Sequence, residues 1–218
     1  LLHLFLFYFL HKYKKSSNKH KAYYYTHNNK LEYIWTIVPA IILTGVILYG
    51  LNVWDRITNA DTSEASVIEV YGKQFGWNAR YPGEDQKLGS HDYKLVGGAN
   101  ALGIDIDDAN SLDDKVTREL HLVVGKPVLM KLRSQDIIHS AFMPHFRVQM
   151  NCVPGMTTQF VFTPTKTTKE MKMLEGDDFE YVLLCNKICG VAHYNMQMKV
   201  VVETQEEYDP WLLKQNTL

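Results

Sequence analysis

The segment FEYVLLCNKICGVAHYNMQMKVVVE, residues 179–203, holds two short apolar runs on either side of a loop that is rich in metal-binding side chains. The first run is rich in β-branched and aromatic residues, and the second alternates in polarity, as strands do. Gly190 and Asn195 suit a connection between strands better than a helix interior. The metal-binding side chains are spaced by four, four and three residues, which also fits one face of a helix. The flanking runs favour two antiparallel strands joined by a loop whose donors point inward.

The loop offers four side chains that can bind a soft metal ion: Cys185, Cys189, His193 and Met196. Zinc seldom takes a thioether, whereas sulfur donors combined with imidazole select copper, especially in electron-transfer sites. Two thiolates can bridge two copper ions, and such a site needs one more imidazole. His139 in SQDIIHSAFMPHF can supply it, with Asp136 three residues earlier, and His145 is a competitor for the same place.

Three motifs, DIIHS (136–140), PHFRVQMNCVPGMTTQF (144–160) and CNKICGVAHYNM (185–196), resemble subunit II of the haem–copper cytochrome c oxidases. The resemblance covers nearly the whole chain and implies a binuclear copper centre, CuA, with both cysteines bridging the two ions. It implies these ligands: His139, Cys185, the backbone carbonyl of Lys187, Cys189, His193 and Met196. It also implies that the centre takes electrons from cytochrome c and passes them to haem in subunit I, where oxygen reduction is coupled to proton pumping.

The part of the chain after the membrane segment predicts a mostly β domain. Its strand-like stretches are SVIEVYGKQFGW, TRELHLVVG, PVLMKLRS, TTQFVFTPT, FEYVLL and MQMKVVVE. We expect no helix of any length between them, which favours a Greek-key β-sandwich or barrel. The resemblance implies a cupredoxin fold over residues 62–205.

Two further segments of this part carry separate predictions. Residues 83–116 form a long insertion with acids at positions 105, 107, 108, 113 and 114. We expect it to be a solvated acidic face or a contact with a neighbouring subunit. Residues 206–218 are expected to form a carboxyl-terminal tail or helix, because Thr204 and Glu207 make a capping box. Pro210 predicts a helix start later than that box suggests.

The first quarter of the chain predicts a membrane region over residues 1–57. Residues 33–54 are 22 consecutive residues without a charge, long enough to span a bilayer, so a helix is expected over 31–55. Residues 1–10 are apolar but too short to span. The family has two transmembrane helices, so we expect 1–10 to be the end of a first helix and the two to form a helical hairpin.

Lysines lie between the two apolar stretches, at positions 12, 14, 15, 19, 21 and 30. A short loop of this kind faces the cytoplasm or the matrix, so the chain after Trp54 is expected on the opposite side. Residues 1–54 carry six lysines and one acid, net +5, whereas the remainder has 17 basic and 23 acidic residues, net −6. A negative outer domain favours a basic soluble partner.

The composition fits one globular domain with a short membrane part, at 218 residues, 46% hydrophobic and 22% charged. Three cysteines are too few for a disulfide scaffold. Cys152, the cysteine outside the loop motif, is interpreted as an apolar packing residue.

Four positions depart from the family pattern or sharpen it. Glu32, at the start of the spanning helix, corresponds to a glutamate that marks a proton path into subunit I. Phe75 stands where many members have the tryptophan that receives the electron from cytochrome c, and Trp77 is expected on the same strand face. Lys187 replaces a glutamate whose carboxylate holds magnesium in the family. An ammonium has no acceptor, which makes a magnesium site at the subunit I border doubtful.

The resemblance implies oxidase subunits I and III, cytochrome c or a tethered haem c, and membrane lipid as partners, and no nucleic acid. We expect the bacterial inner membrane, with the copper domain in the periplasm, ahead of the mitochondrial inner membrane. The alternative function is a membrane-anchored copper chaperone for oxidase assembly, which also has a C-x3-C pair and a distant histidine. That class of protein alternates helices with strands.

Overall fold

The computed structural model describes residues 1–14, 23–59 and 62–217, so the lysine-rich loop lies partly outside the described residues. Helix α1 spans Leu2–Lys12 and helix α2 spans Asn29–Thr58. An 18-residue stretch within α2 has a mean hydropathy of 2.1, and none of the 30 residues of the helix is buried. At about 1.5 Å per residue, this helix is longer than the roughly 30 Å hydrocarbon core of a bilayer. Its apolar residues face outward all round, as a lipid environment requires.

The described residues after α2 contain two five-stranded β-sheets. The strands are β1 Ser66–Lys73, β2 Gly76–Tyr81, β3 Lys115–Thr117, β4 Leu120–Val123, β5 Val128–Ser134, β6 His139–Met143, β7 Val148–Cys152, β8 Thr158–Phe162, β9 Tyr181–Cys185 and β10 Gln197–Glu203. The first sheet has the order β3-β2-β1-β5-β8 and the second β4-β10-β9-β6-β7. Strand β1 pairs parallel with β5, and β4 pairs parallel with β10; the other pairs are antiparallel. The predicted mostly β, cupredoxin-like fold is confirmed.

The core contains side chains from both sheets. Along β10, Met198, Val200 and Val202 are buried and their neighbours face outward, as the alternation in the sequence predicts. Val70 of β1 and Leu183 of β9 are fully buried in the same cluster. Full burial of an aliphatic side chain of this size contributes roughly 1.5–3 kcal/mol.

The stretch SVIEVYGKQFGW folds as a hairpin rather than as one strand. Strands β1 and β2 pair antiparallel up to Lys73 and Gly76, and Gln74 and Phe75 form the turn between them. Phe75 is 36% exposed in this turn, whereas Trp77 is 4% exposed in the core. The prediction that these two aromatic residues share a strand face is therefore wrong, because the chain reverses between them.

Two helices accompany the sheets. Helix α3, Thr168–Glu175, lies between β8 and β9 and begins with a capping box of Thr167 and Glu170. The expectation that no helix interrupts the strands is wrong at this place. Helix α4, Gln205–Leu213, begins directly after Thr204, the first residue of the predicted capping box, and Pro210 lies inside the helix. The later start predicted from this proline is also wrong, because proline removes one helical hydrogen bond and the box still closes the first turn.

The insertion at 83–116 is partly buried. Leu102 and Ile104 pack on Tyr71 of β1 in a small second cluster. Asp114 is fully buried and accepts a hydrogen bond of 2.9 Å from Arg80 Nε. The prediction of a solvated acidic face is thus wrong for Asp114, because a buried arginine supplies its partner.

A buried charge cluster joins the insertion to the first sheet. Glu69 accepts bonds from Arg80 Nη1 at 3.0 Å, from Arg133 Nη2 at 2.8 Å and from the Tyr71 hydroxyl at 2.6 Å. Arg80 also bonds Asp114 of the insertion. Burial alone would raise the pKa of Glu69, but the two arginines and the tyrosine hydroxyl outweigh it, so the pKa is lowered. The cluster fixes the insertion to β1, β2 and β5.

Candidate metal centre

The predicted metal-binding loop lies at one end of two inner strands of the second sheet, β9 and β10. Strand β9 ends at Cys185, and residues 186–196 connect it to the antiparallel strand β10. The predicted strand–loop–strand arrangement is confirmed. Strand β6 pairs with the other side of β9, with Ala141 opposite Cys185, and begins at His139. The hydrogen-bonded register of three strands therefore places His139 beside the two ends of the loop.

Each cysteine sulfur faces one imidazole. Cys185 Sγ lies 3.8 Å from His139 Nδ1, and Cys189 Sγ lies 3.6 Å from His193 Nδ1. The two sulfurs are 3.8 Å apart. This is far longer than the roughly 2.05 Å of a disulfide bond and leaves room for ions between the sulfurs. The arrangement has a pseudo-symmetry in which one cysteine–histidine pair serves each end of the site.

Two weaker donors complete the group. Met196 Sδ lies 3.7 Å from Cys189 Sγ, and the carbonyl oxygen of Lys187 lies 3.3 Å from Cys185 Sγ. The Lys187 side chain is exposed, so the residue presents its backbone to the site. All six predicted ligand groups are thus brought together by the loop and β6.

The carboxylate of Asp136 orients the His139 ring. His139 is fully buried, and its Nε2 lies 2.8 Å from Asp136 Oδ1. A proton on Nε2 is assigned from this bond, and it leaves the Nδ1 lone pair directed at the thiol. Burial alone would raise the pKa of Asp136, but bonds from the Gln74 backbone N–H, from His139 and from the Ile137 N–H lower it. The ionised carboxylate therefore holds the tautomer whose Nδ1 is free to accept a metal ion.

Close packing fixes the ring on its other side. The Trp77 ring lies 6.1 Å from the His139 ring at 63°, an edge-to-face contact. A Cβ added to Gly72 would lie 3.1 Å from both His139 and Trp77, so the ring has little room to turn.

The donor set fits copper. Met196 is 2% exposed and Cys189 1% exposed, so the sulfurs are shielded from water. Burial, followed by the neighbouring Cys185, raises the pKa of the Cys189 thiol to about 11. A metal ion must therefore displace the proton of the Cys189 thiol, and soft cations do so most readily. Two thiolates, two imidazoles, a thioether and a carbonyl are the groups that would hold a copper pair.

His145 and Cys152 are not among the donors of this group. His145, the competitor for the second imidazole, packs 4.9 Å from the Phe179 ring and 5.5 Å from the Tyr181 ring. Cys152 lies opposite His139 in the β6–β7 pair and is fully buried, as the packing interpretation expects. Burial raises the pKa of its thiol to about 12. Glu32 lies in the first turn of α2.

Sequence reasoning missed Gln74, which contacts the site from the β1–β2 turn. Its side-chain amide donates to the Cys189 carbonyl at 2.5 Å. The two residues are 115 positions apart, and a glutamine in an exposed turn carries no local signal of such a contact.

The chain is similar to known proteins along most of its length. The family model described as the cytochrome c oxidase subunit II transmembrane domain matches residues 1–53, and that of the periplasmic domain matches residues 66–205. The chain is 34% identical over 216 residues to the alternative cytochrome c oxidase subunit 2 of Bradyrhizobium diazoefficiens, covering 98% of the chain and 73% of the relative. It is 29% identical to the cytochrome c oxidase subunit 2 of Cereibacter sphaeroides, covering 96% and 68%.

Among solved structures, the periplasmic domain of subunit II of cytochrome oxidase of Bradyrhizobium japonicum matches with a TM-score of 0.48 and 22% identity, covering 70% of the chain and 94% of that domain. The two family models together match most of the sequence, from the apolar helices to the end of β10. Residues 66–205 correspond to the periplasmic domain of this family. The chain therefore belongs to the cytochrome c oxidase subunit II family, as a membrane-anchored subunit of a haem–copper oxidoreductase complex.

Proposed function

We propose that this chain holds a binuclear CuA centre, takes electrons from cytochrome c or a tethered haem c, and passes them to haem in subunit I. The observation that carries the proposal is the convergence of both sulfurs of Cys185 and Cys189 with one imidazole each, at 3.6–3.8 Å. The proposed ligands are these cysteines, His139, His193, Met196 and the Lys187 carbonyl. When bound, the copper pair supplies a site that accepts one electron at a time.

The protein contributes rigidity and exclusion of water. His139 and Cys185 lie on separate strands whose positions are set by the sheet, so these donors keep their geometry whatever the charge of the site. Asp136 maintains the His139 tautomer, and the buried Met196 closes the inner side. A preorganised, dry site changes little when its charge changes, which favours fast electron transfer.

Subunit I is the proposed partner of the loop's outer surface. Ile188, Val191 and Tyr194 are 87%, 91% and 88% exposed on the same loop that carries the sulfurs. Large apolar side chains this exposed mark interaction sites. Covering them with subunit I would exclude water from the short path between the copper pair and haem. Oxygen reduction and proton pumping are assigned to the complex, and subunit III is proposed as a further neighbour.

The electron donor is proposed to dock near the β1–β2 turn. Phe75 is the exposed aromatic residue of this turn, and it contacts Gly190, directly after Cys189 in the chain. Trp77 is buried and packs against the His139 ring, so it is not part of the exposed surface of the turn. The surplus of acidic residues after position 54 favours a basic donor, whose encounter would weaken with added salt.

Glu32 and Lys187 carry separate proposals. Glu32 lies in the first turn of α2, where we place the mouth of a proton path on the cytoplasmic side. Lys187 provides no carboxylate, so a divalent cation at the subunit I border would need other ligands. The proposed location is the bacterial inner membrane, with residues 62–205 as the copper domain in the periplasm and 1–57 as the membrane region.

The copper-chaperone alternative does not fit the fold. That class alternates helices with strands, whereas in residues 66–203 helix α3 is the single α-helix among ten strands. The match of the subunit II periplasmic model over residues 66–205 points the same way.

Electron injection into the assembled oxidase tests the proposal. Reduced cytochrome c is mixed rapidly with the complex, and the reduction of haem in subunit I is followed optically. We expect fast haem reduction in the wild type and almost none in Cys189→Ser, because a hydroxyl is a poor bridging ligand for soft copper. Cys152→Ala is the matched control, since it removes a thiol outside the site. Equal haem reduction in wild type and Cys189→Ser would overturn the proposed electron path.

A further inference from the structure

The β1–β2 turn bonds both halves of the metal centre through one residue. The Gln74 side-chain amide donates to the Cys189 carbonyl at 2.5 Å, in the loop half. The Gln74 backbone N–H donates to Asp136 Oδ2 at 2.7 Å, and the other oxygen of Asp136 bonds His139 Nε2 at 2.8 Å, in the β6 half. Gln74 therefore connects a carbonyl beside one sulfur with the carboxylate that orients the buried imidazole.

The loop backbone lies directly against this turn. Gly190 has φ +137°, a conformation that favours glycine. A Cβ added there would lie 2.8 Å from Phe75 Cζ and 2.9 Å from Gln74 Nε2. The absence of a side chain at Gly190 is what allows the amide of Gln74 to reach the preceding carbonyl.

These contacts are not explained by the stability of the fold. Gln74 is exposed and lies beyond the last residue pair of the β1–β2 ladder, Lys73 and Gly76. Ordering a glutamine side chain costs rotamer freedom that offsets most of what one hydrogen bond returns. The side chain therefore adds little to folding, and its consequence is to fix the loop relative to Asp136.

We propose that Gln74 is a positioning residue for the metal centre. The bond from its side chain to the Cys189 carbonyl holds the β1–β2 turn against the loop. The turn held in this way keeps the Gln74 backbone N–H bonded to Asp136, and Asp136 orients His139. This inference rests on the proposed function only for the identity of the metal. Loss of the side-chain donor should loosen both halves of the centre at once, because one residue serves both.

The test uses the full chain in detergent and the variant Gln74→Met, which keeps the length of the side chain and loses its donor. Gln159→Met is the matched control, because Gln159 is an exposed glutamine on β8, away from the site. Gln74→Ala is a second variant in case the methionine packs in a new place. Circular dichroism checks that each variant is folded.

Two readouts separate positioning from a general structural role. In the metal-free chain, ¹⁵N resonances of labelled histidine report the tautomer of the His139 ring. We expect a single tautomer, protonated at Nε2, in the wild type and in Gln159→Met. In Gln74→Met we expect a mixture of the Nδ1-protonated and Nε2-protonated tautomers. In the copper-loaded chain, we expect Gln74→Met to lose copper to a chelator about tenfold faster and to show altered nitrogen hyperfine coupling. Asp136→Asn combined with Gln74→Met should give less than the sum of the two single effects.

Gln74 variants that match Gln159→Met in tautomer, hyperfine coupling and copper loss would overturn the positioning role. A wild-type chain that holds no copper pair would instead overturn the proposed function. In that case the tautomer measurement on the metal-free chain still decides the role of Gln74, so the two failures are distinguishable.

Discussion

Replacing Glu69 by glutamine should destabilise the outer domain strongly, because the carboxylate is the centre of the buried charge cluster. Its side chain is 3% exposed and bonds Arg80, Arg133 and Tyr71 at 2.6–3.1 Å. Removing one partner of a buried ion cluster costs about 3–5 kcal/mol, since the opposite charges lose their compensation. We expect a loss of this size in the free energy of unfolding of Glu69→Gln at pH 7.

The dependence on pH gives the same prediction an independent test. The pKa of Glu69 is lowered from its ordinary value of 4.5 in the folded chain, so its carboxylate stabilises the fold in full above that pH. This stabilisation is lost as the pH falls below 4.5 towards the lowered pKa. The wild type should therefore lose stability in this range more steeply than Glu69→Gln.

Urea unfolding of the chain in detergent measures both effects, followed by near-ultraviolet circular dichroism of the buried aromatic residues. The control is Lys169→Met, which removes the exposed pair of Lys169 and Glu207 and should leave the unfolding curve unchanged. A loss below about 1 kcal/mol in Glu69→Gln, or equal acid sensitivity in the two proteins, would refute the assigned role of the cluster.

Four further substitutions test the metal centre. His139→Ala should abolish the shared-copper spectrum, whereas His145→Ala should leave it intact and cost less than about 1 kcal/mol of stability, because His145 is exposed; the reverse pattern would mean that the other histidine is the ligand. Lys187→Ala should keep the spectrum, because the backbone carbonyl faces Cys185; a changed spectrum would show that the amine participates. Gly190→Ala should weaken copper retention, since its Cβ would lie within 3 Å of the Phe75 ring; unaltered copper loss to a chelator would contradict that contact.

Local patterns in the sequence were enough to predict the centre's loop and the spanning helix. Alternating polarity in MQMKVVVE placed β10, and strand signals on both sides of the motif located its loop correctly. The helix over Asn29–Thr58 follows from an uncharged run long enough to span a bilayer. In both cases the pattern that predicts the element lies within the element itself or in the residues next to it.

Other features depend on partners that are distant in sequence. Strand β6 carries His139 but is only five residues long, and its pairing with β7 and β9 defines it better than its own composition. Burial of Asp114 depends on Arg80, 34 residues away. Helix α3 is different, because the capping box of Thr167 and Glu170 was a local signal that strand patterns obscured.

Copper content and electron spin resonance of the purified full-length chain test the central claim most directly. Two thiolates 3.8 Å apart, each beside one imidazole, predict two copper ions per chain and an unpaired electron whose hyperfine coupling involves both copper nuclei. The same spectrum should disappear in Cys185→Ser and persist in Cys152→Ala. One copper per chain, hyperfine coupling to a single copper nucleus, or a preference for zinc would contradict the binuclear centre.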